Sequence, residues 1–154
     1  MNLFMKTADL VARQNVFTDH GGPFGAVVVK DGYIVGIGNN RVVQSNDPTA
    51  HAEVMAIRDA CKNLNTFDLT GCELITSCYP CPMCLSAIIW SNIKKVYFGC
   101  RPEDAEKIGF RDDFIYKFIE NKSKDKNILD ICELDRKECL QLFKEYSEKN
   151  KVIY

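Results

Sequence analysis

Histidine and tryptophan are nearly absent from this chain of 154 residues: His20 and His51 are its imidazoles and Trp90 its one indole. A metal site built here takes at most two ring nitrogens and must find its other ligands elsewhere. Net charge is close to nil, with 20 basic side chains against 21 acidic ones. That balance provides no general attraction to nucleic acid or to an anionic membrane. Long hydrophobic runs are missing too. Lys6, Asp9 and Arg13 interrupt the first residues, which therefore do not read as a secretory signal. The uncharged run from Leu74 to Ile93 has the length of a membrane span, but Pro80, Pro82 and several hydroxyl and amide side chains break it. No membrane partner is expected. There is no internal repeat and no low-complexity tract.

Cysteine is in excess, at eight residues. In a secreted chain an even count implies disulfides. Here Cys61, Cys72, Cys100, Cys132 and Cys139 sit in apolar runs, where a reduced thiol acts as a small hydrophobe. A reducing, cytoplasmic location is the expectation. Hydrophobic content of 46% and charged content of 27% suit a soluble globular domain, and the length suits a single domain over residues 1–154.

Apolar periodicity predicts alternating helices and strands. A helix runs from Leu3 to about Asn15, with Phe4, Ala8, Val11 and Ala12 on one face. His20-Gly21-Gly22-Pro23 ends it as a loop. Strands Phe24–Lys30 and Tyr33–Gly38 flank Asp31-Gly32, a two-residue hairpin turn. After a polar loop, a helix spans Ala50–Leu64, with Val54, Ile57, Cys61 and Leu64 facing inward and Ala52, Ala56 and Ala60 permitting close packing. A third strand covers Cys72–Ser77. Pro82–Trp90 is a short helix, apolar nearly all round and so expected to be buried. Lys95–Gly99 is the fourth strand. A short helix within Arg101–Gly109 and another at Asp112–Glu120 follow. Ile128–Glu133 is read as a fifth strand, and Asp135–Lys149 as a last helix with Asp135 and Glu138 forming a capping box. This order predicts an α/β sandwich around a mixed sheet.

Two short motifs carry the chemistry: His51-Ala52-Glu53 and Pro80-Cys81-Pro82-Met83-Cys84. Both fall where a loop becomes a helix. Pro82 suits the first helical position, and three residues of helix turn keep Cys81 and Cys84 on one side. The positive helix N-terminus favours thiolate over thiol. One imidazole and two thiols are three zinc ligands, and a catalytic zinc keeps its fourth position open for water. Glu53 is then the proton carrier, serving attack on a ring carbon that bears an amine. Three other readings fit parts of the pattern. Cys81 and Cys84 alone suit a redox pair; Cys78 as a fourth ligand would close a structural zinc site; and a zinc-stabilised binding module would not need Glu53. His20 reads as a solvated loop residue. Asn40 either ends a strand or binds substrate, and Phe24 and Trp90 either fill the core or wall a pocket for a flat ring.

With these motifs in view, the chain resembles the cytidine deaminase-like superfamily and, within it, bacterial-type guanine deaminases. The resemblance runs through Pro23-Phe24-Gly25-Ala26, Ser45 to Glu53, Thr76-Ser77-Cys78, Pro80 to Cys84, Trp90, Gly109-Phe110, Phe114-Ile115-Tyr116-Lys117 and Tyr154. It implies a three-layer α/β/α fold whose mixed five-stranded sheet carries helices on both faces. It implies a hydrolase acting on a cyclic amidine C–N bond, turning guanine and water into xanthine and ammonia in purine metabolism. One zinc per chain would be held by His51, Cys81 and Cys84, with Glu53 as proton shuttle. Asn40, Phe24, Trp90, Asp112 and Tyr154 would bind the purine base. The family also implies a homodimer that exchanges C-terminal segments from about residue 101, with a hinge near 101–111, so that Asp112 and Tyr154 arrive from the neighbouring subunit. One position departs: Tyr79 stands where the family usually has Glu. That departure keeps guanosine, cytosine or a triazine open as substrates. A tRNA adenosine deaminase shares the zinc motifs, but the charge balance argues against it.

Overall fold

The computed structural model describes residues 2–154, which divide into two compact units, 2–116 and 117–154. In the first unit, α1 (Leu3–Gln14) is capped by Asn2, whose side chain accepts from Phe4 N at 2.9 Å. β1 (Gly25–Lys30) turns at Asp31-Gly32 into β2 (Tyr33–Asn39). Both turn residues have positive φ, 49° and 80°, as the expected tight hairpin demands. A four-residue helix, α2 (Val42–Ser45), occupies the loop read as irregular. There follow α3 (Ala52–Leu64), β3 (Cys72–Cys78), α4 (Pro82–Trp90), β4 (Lys95–Cys100), α5 (Pro102–Lys107) and α6 (Asp113–Glu120).

The sheet order is β2-β1-β3-β4. β1 is antiparallel to both β2 and β3, whereas β3 and β4 are parallel and joined through α4. Parallel neighbours require such a crossover. β1 is central, and its Val27-Val28-Val29 run is buried on both faces. Ala26 and Val28 pack with Ala52, Ala56, Ala60 and Ile88, whereas Val27 and Val29 pack with Ile75, Phe4 and Met5. Burying a valine is worth roughly 1.5 kcal/mol or more. Strand propensity spans only about 1 kcal/mol, so packing decides β1. The result is the expected α/β/α layering of a mixed sheet.

α3 and β2 approach closely. A Cβ on Gly36 would lie 2.4 Å from Ala56 O, and one on Gly38 would lie 2.3 Å from Ala52 O. No side chain fits there, and the alanine face of α3 is what meets the strand. Ala52, Ala56 and Ala60 are therefore the fully buried positions, while Val54, Ile57, Cys61 and Leu64 are only partly covered.

Three expectations are corrected. The sheet has four strands among the described residues, not five. At 128–133 no ladder forms; Ile128 N and Leu129 N instead bond to Asp125 O at 3.1 and 3.2 Å in a local turn. α4 is not buried all round: Pro82, Cys84 and Ile88 are, but Ile89 is 67% and Trp90 69% exposed. The helix packs on α3, and Ile89 and Trp90 lie outside its covered residues. The capping box at Asp135 does not form either. Asp135 adopts a left-handed backbone (φ 49°), whereas a cap needs an extended one to turn its side chain onto the helix.

The second unit contains α7 (Arg136–Ser147), which has no buried residue; Leu140, Leu142, Phe143 and Tyr146 are exposed. Among the described residues, no helix is long and apolar enough to cross a membrane.

Candidate active site

Two helix starts converge. His51 is the N-cap residue of α3, with extended backbone (φ −72°, ψ 156°), and Cys81 is the N-cap residue of α4 (φ −66°, ψ 168°). Extended caps followed at once by helix send both side chains out ahead of their helices. Pro82 occupies the first turn of α4 and costs no hydrogen bond there. Tyr116 Oη donates to Pro80 O at 2.9 Å and fixes the backbone just before Cys81.

The ligand atoms of His51, Cys81 and Cys84 lie within 4.8 Å of one another. His51 Nδ1 is 3.5 Å from each sulfur. Cys78 does not join the group, so the closed four-ligand alternative has no fourth thiol. Burial pushes the Cys78 thiol up to about 11, which keeps it neutral. His20 also stays apart; its carbonyl accepts from Val43 N and Gln44 N at 3.0 and 2.9 Å. Two thiols and one imidazole this close are a donor set suited to zinc, and they fit it without rearrangement of the chain.

The electrostatics suit a metal-binding thiolate. Cys81 is lowered to about 4, first by the Cys84 thiol donating to it and then by His51, against the opposing effect of burial. Cys84 is correspondingly raised, because it keeps the proton that the pair shares. The Cys81 thiolate also holds the His51 pKa above its ordinary value. Glu53 stands beside the trio at 6% exposure. Its Oε2 lies 3.3 Å from Cys84 Sγ, and its Oε1 accepts from Thr76 Oγ1 at 3.4 Å. Burial raises the Glu53 pKa above the usual carboxylate value. A buried carboxyl beside the three ligand side chains is placed to accept a proton and to return it.

These groups face a cavity of about 730 Å³ within the first unit. Phe24, Asn40, His51, Glu53 and Cys81 line it, as does Asp112 from the same chain. Burial, and then the Cys81 charge, raise the Asp112 pKa. Trp90 does not line the cavity; it ends α4, about 13 Å along the helix from Cys81. Tyr154 belongs to the second unit and is 81% exposed. Phe110 forms part of the wall without having been singled out, edge-to-face on Phe24 with centroids 5.1 Å apart. Its place beside Gly109 in a recognisable motif was the available signal. Tyr79 also lines the cavity, its ring set edge-on against Phe98 at 5.0 Å.

A family model described as the cytidine and deoxycytidylate deaminase zinc-binding region matches residues 1–100. A guanine deaminase from Bacillus subtilis is 52% identical over 125 residues, 81% of this chain and 80% of that protein. A tRNA-specific adenosine deaminase from Aquifex aeolicus is 45% identical over 96 residues, 62% of this chain and 63% of that one. The X-ray structure of guanine deaminase from Bacillus subtilis superposes with a TM-score of 0.90 at 45% identity, covering 100% of this chain and 99% of that one.

Proposed function

Because this chain belongs to the cytidine and deoxycytidylate deaminase zinc-binding family, we propose that it hydrolyses guanine to xanthine and ammonia, with Glu53 carrying the proton. The observation that carries this reading is the buried Glu53 carboxyl beside the His51–Cys81–Cys84 trio, at the wall of a cavity roomy enough for a purine. The guanine deaminase relative, similar over four fifths of both chains, supports the substrate. His51, Cys81 and Cys84 would hold a zinc ion, which when bound would supply the Lewis acidity that makes water a nucleophile near neutral pH.

The chain's own groups do the rest. Glu53 takes a proton from the attacking water and hands it to the departing amine. General acid–base help of this kind contributes roughly 10²–10⁴-fold. Asn40 presents its carboxamide to a polar edge of the base, and Asp112 takes another. Phe24, braced by Phe110, walls the ring face. Trp90 stands outside this set. Tyr79, where the family usually has Glu, contributes a phenol in place of a carboxylate and is the residue through which base choice would differ.

The enzyme works as a cytoplasmic homodimer in which residues 117–154 pack on a second copy, and Tyr154 then closes the partner's cavity. Supporting this are the exposed apolar residues of α7, the exposed Tyr97 and Phe98 of edge strand β4, and eight free thiols that suit a reducing compartment. Light scattering should give twice the 17.5 kDa chain mass; a monomer at every accessible concentration would sink the exchange.

Ammonia release from guanine, guanosine, adenine, cytosine and cytidine tests the substrate. Guanine should be turned over fastest. A tRNA substrate deaminated at physiological salt with guanine untouched would favour the adenosine deaminase reading instead.

A further inference from the structure

Asn15 follows α1 as its C-cap residue and is 7% exposed. Its Nδ2 donates to Gly22 O at 2.8 Å and to Asn40 O at 2.7 Å. Its Oδ1 accepts from Asn39 Nδ2 at 2.9 Å. The Asn39 carboxamide is in turn fixed by Arg41 Nε, which donates to Asn39 Oδ1 at 3.2 Å. One buried side chain thus ties three segments together: the end of α1, the glycine loop before β1, and the exit from β2. Two carbonyls on one side and an amide donor on the other define which end of Asn15 carries the nitrogen. The site calls for two donors and one acceptor on a short side chain, which asparagine supplies and aspartate or leucine does not.

Asn15 does not line the cavity, but Gly22 and Asn40, whose carbonyls it holds, do, as does Phe24 between them in the chain. Asn40 N donates to Phe24 O at 3.0 Å, and Asn40 Oδ1 accepts from Val42 N at 3.1 Å. With that oxygen engaged, Asn40 Nδ2 is the end available to a ligand. The loop lies hard against the same carboxamide, since a Cβ on Gly21 would meet Asn40 Oδ1 at 2.0 Å. A shift of the loop or of the Asn40 backbone therefore displaces the amide itself. We propose that Asn15 is a positioning residue for substrate recognition, holding the Asn40 carboxamide and the Gly21–Phe24 wall at the spacing a purine base requires while leaving proton transfer at Glu53 untouched. This rests on the assignment of Asn40 as a contact to the base.

The experiment is a double-mutant cycle with guanine as substrate, combining Asn15→Leu and Asn40→Ala, and with Asn15→Asp as a second probe that keeps the shape and loses both donations. Asn15→Leu should raise KM about tenfold, the equivalent of roughly one hydrogen bond, with kcat changed by less than about twofold. Zinc content should stay at the wild-type level. Added to Asn40→Ala, it should raise KM little further, because the group it positions is already gone. The same fold-change in both backgrounds, or a fall in kcat at constant KM, overturns the positioning role while Asn40 keeps its own. Asn40→Ala with a wild-type KM overturns the Asn40 assignment and this inference with it. Failure of both Asn15 variants to fold makes the residue purely structural and also overturns it.

Discussion

The two units of this protein use apolar residues in opposite ways. In the first, Val27, Val28 and Val29 lie between two layers of helix at 4% exposure or less. In the second, Leu142 and Phe143 of α7 are 63% and 70% exposed. Helical spacing of apolar residues reads alike in α1 and α7, yet α1 packs on β1 and β3 whereas α7 has no buried residue. The contrast teaches that periodicity states which face of an element wants cover, and not what covers it. The first unit supplies that cover internally and can therefore hold four reactive side chains in place.

The largest effect expected from this contrast is chemical. Glu53→Gln leaves the packing of α3 intact, so it should keep one zinc per chain and lose at least about 10²-fold in kcat. Near-normal turnover, read alongside metal analysis, would remove Glu53 as proton carrier. Next in size is packing. Gly38→Val forces a side chain against Ala52 O and should cost about 1–3 kcal/mol in urea denaturation. Leu142→Ser should leave that transition of the first unit in place and instead shift the mass seen by light scattering. Equal destabilisation by the two variants would erase the distinction between the units. Smaller still, deleting residues 152–154 should lower kcat/KM without moving the melting temperature; unchanged kinetics would deny Tyr154 a closing role.

The smallest effect is electrostatic. Asp68 is exposed, and its pKa is lowered first by the Thr70 hydroxyl, which donates to Oδ1 at 2.6 Å. A depressed carboxylate stabilises the fold above its unfolded pKa and loses that contribution as pH falls through the folded value. Asp68→Asn should therefore melt slightly below wild type at neutral pH, and the gap should narrow as pH falls below the ordinary aspartate value of about 3.9. A gap that persists in acid would assign the effect to geometry and not to charge.

Much of the site could be read before any coordinates. The helix start at Cys81 follows from proline's preference for the first helical position, that at His51 from the apolar run behind it, and three residues of helix keep Cys84 with Cys81. The hairpin at Asp31-Gly32 follows from residues that tolerate positive φ. Other features were opaque for an equally definite reason. Ile128-Leu129-Asp130-Ile131 has the composition of a strand, but a strand exists only where a neighbour offers a ladder, and Asp125 O captured two of its amides first. Trp90 sits in an apolar helix, but α4 packs on α3 and Trp90 lies outside its covered residues. Asn15 carries no motif, because its partners are the backbone groups of residues 7 and 25 positions away.

By itself the sequence determined the reactive inventory: one imidazole, two thiols and one carboxyl, each set by local helix geometry over spans of a few residues. Only the tertiary structure decided what surrounds them. Phe110, Asp112 and the Asn15–Asn40 brace reach the cavity through contacts between distant segments, and α4 and residues 128–133 take the exposure their neighbours leave them. Turns of a helix are dictated by bonds to near residues, whereas walls and covers are dictated by whichever surface arrives to exclude water, and no spacing along the chain encodes that arrival.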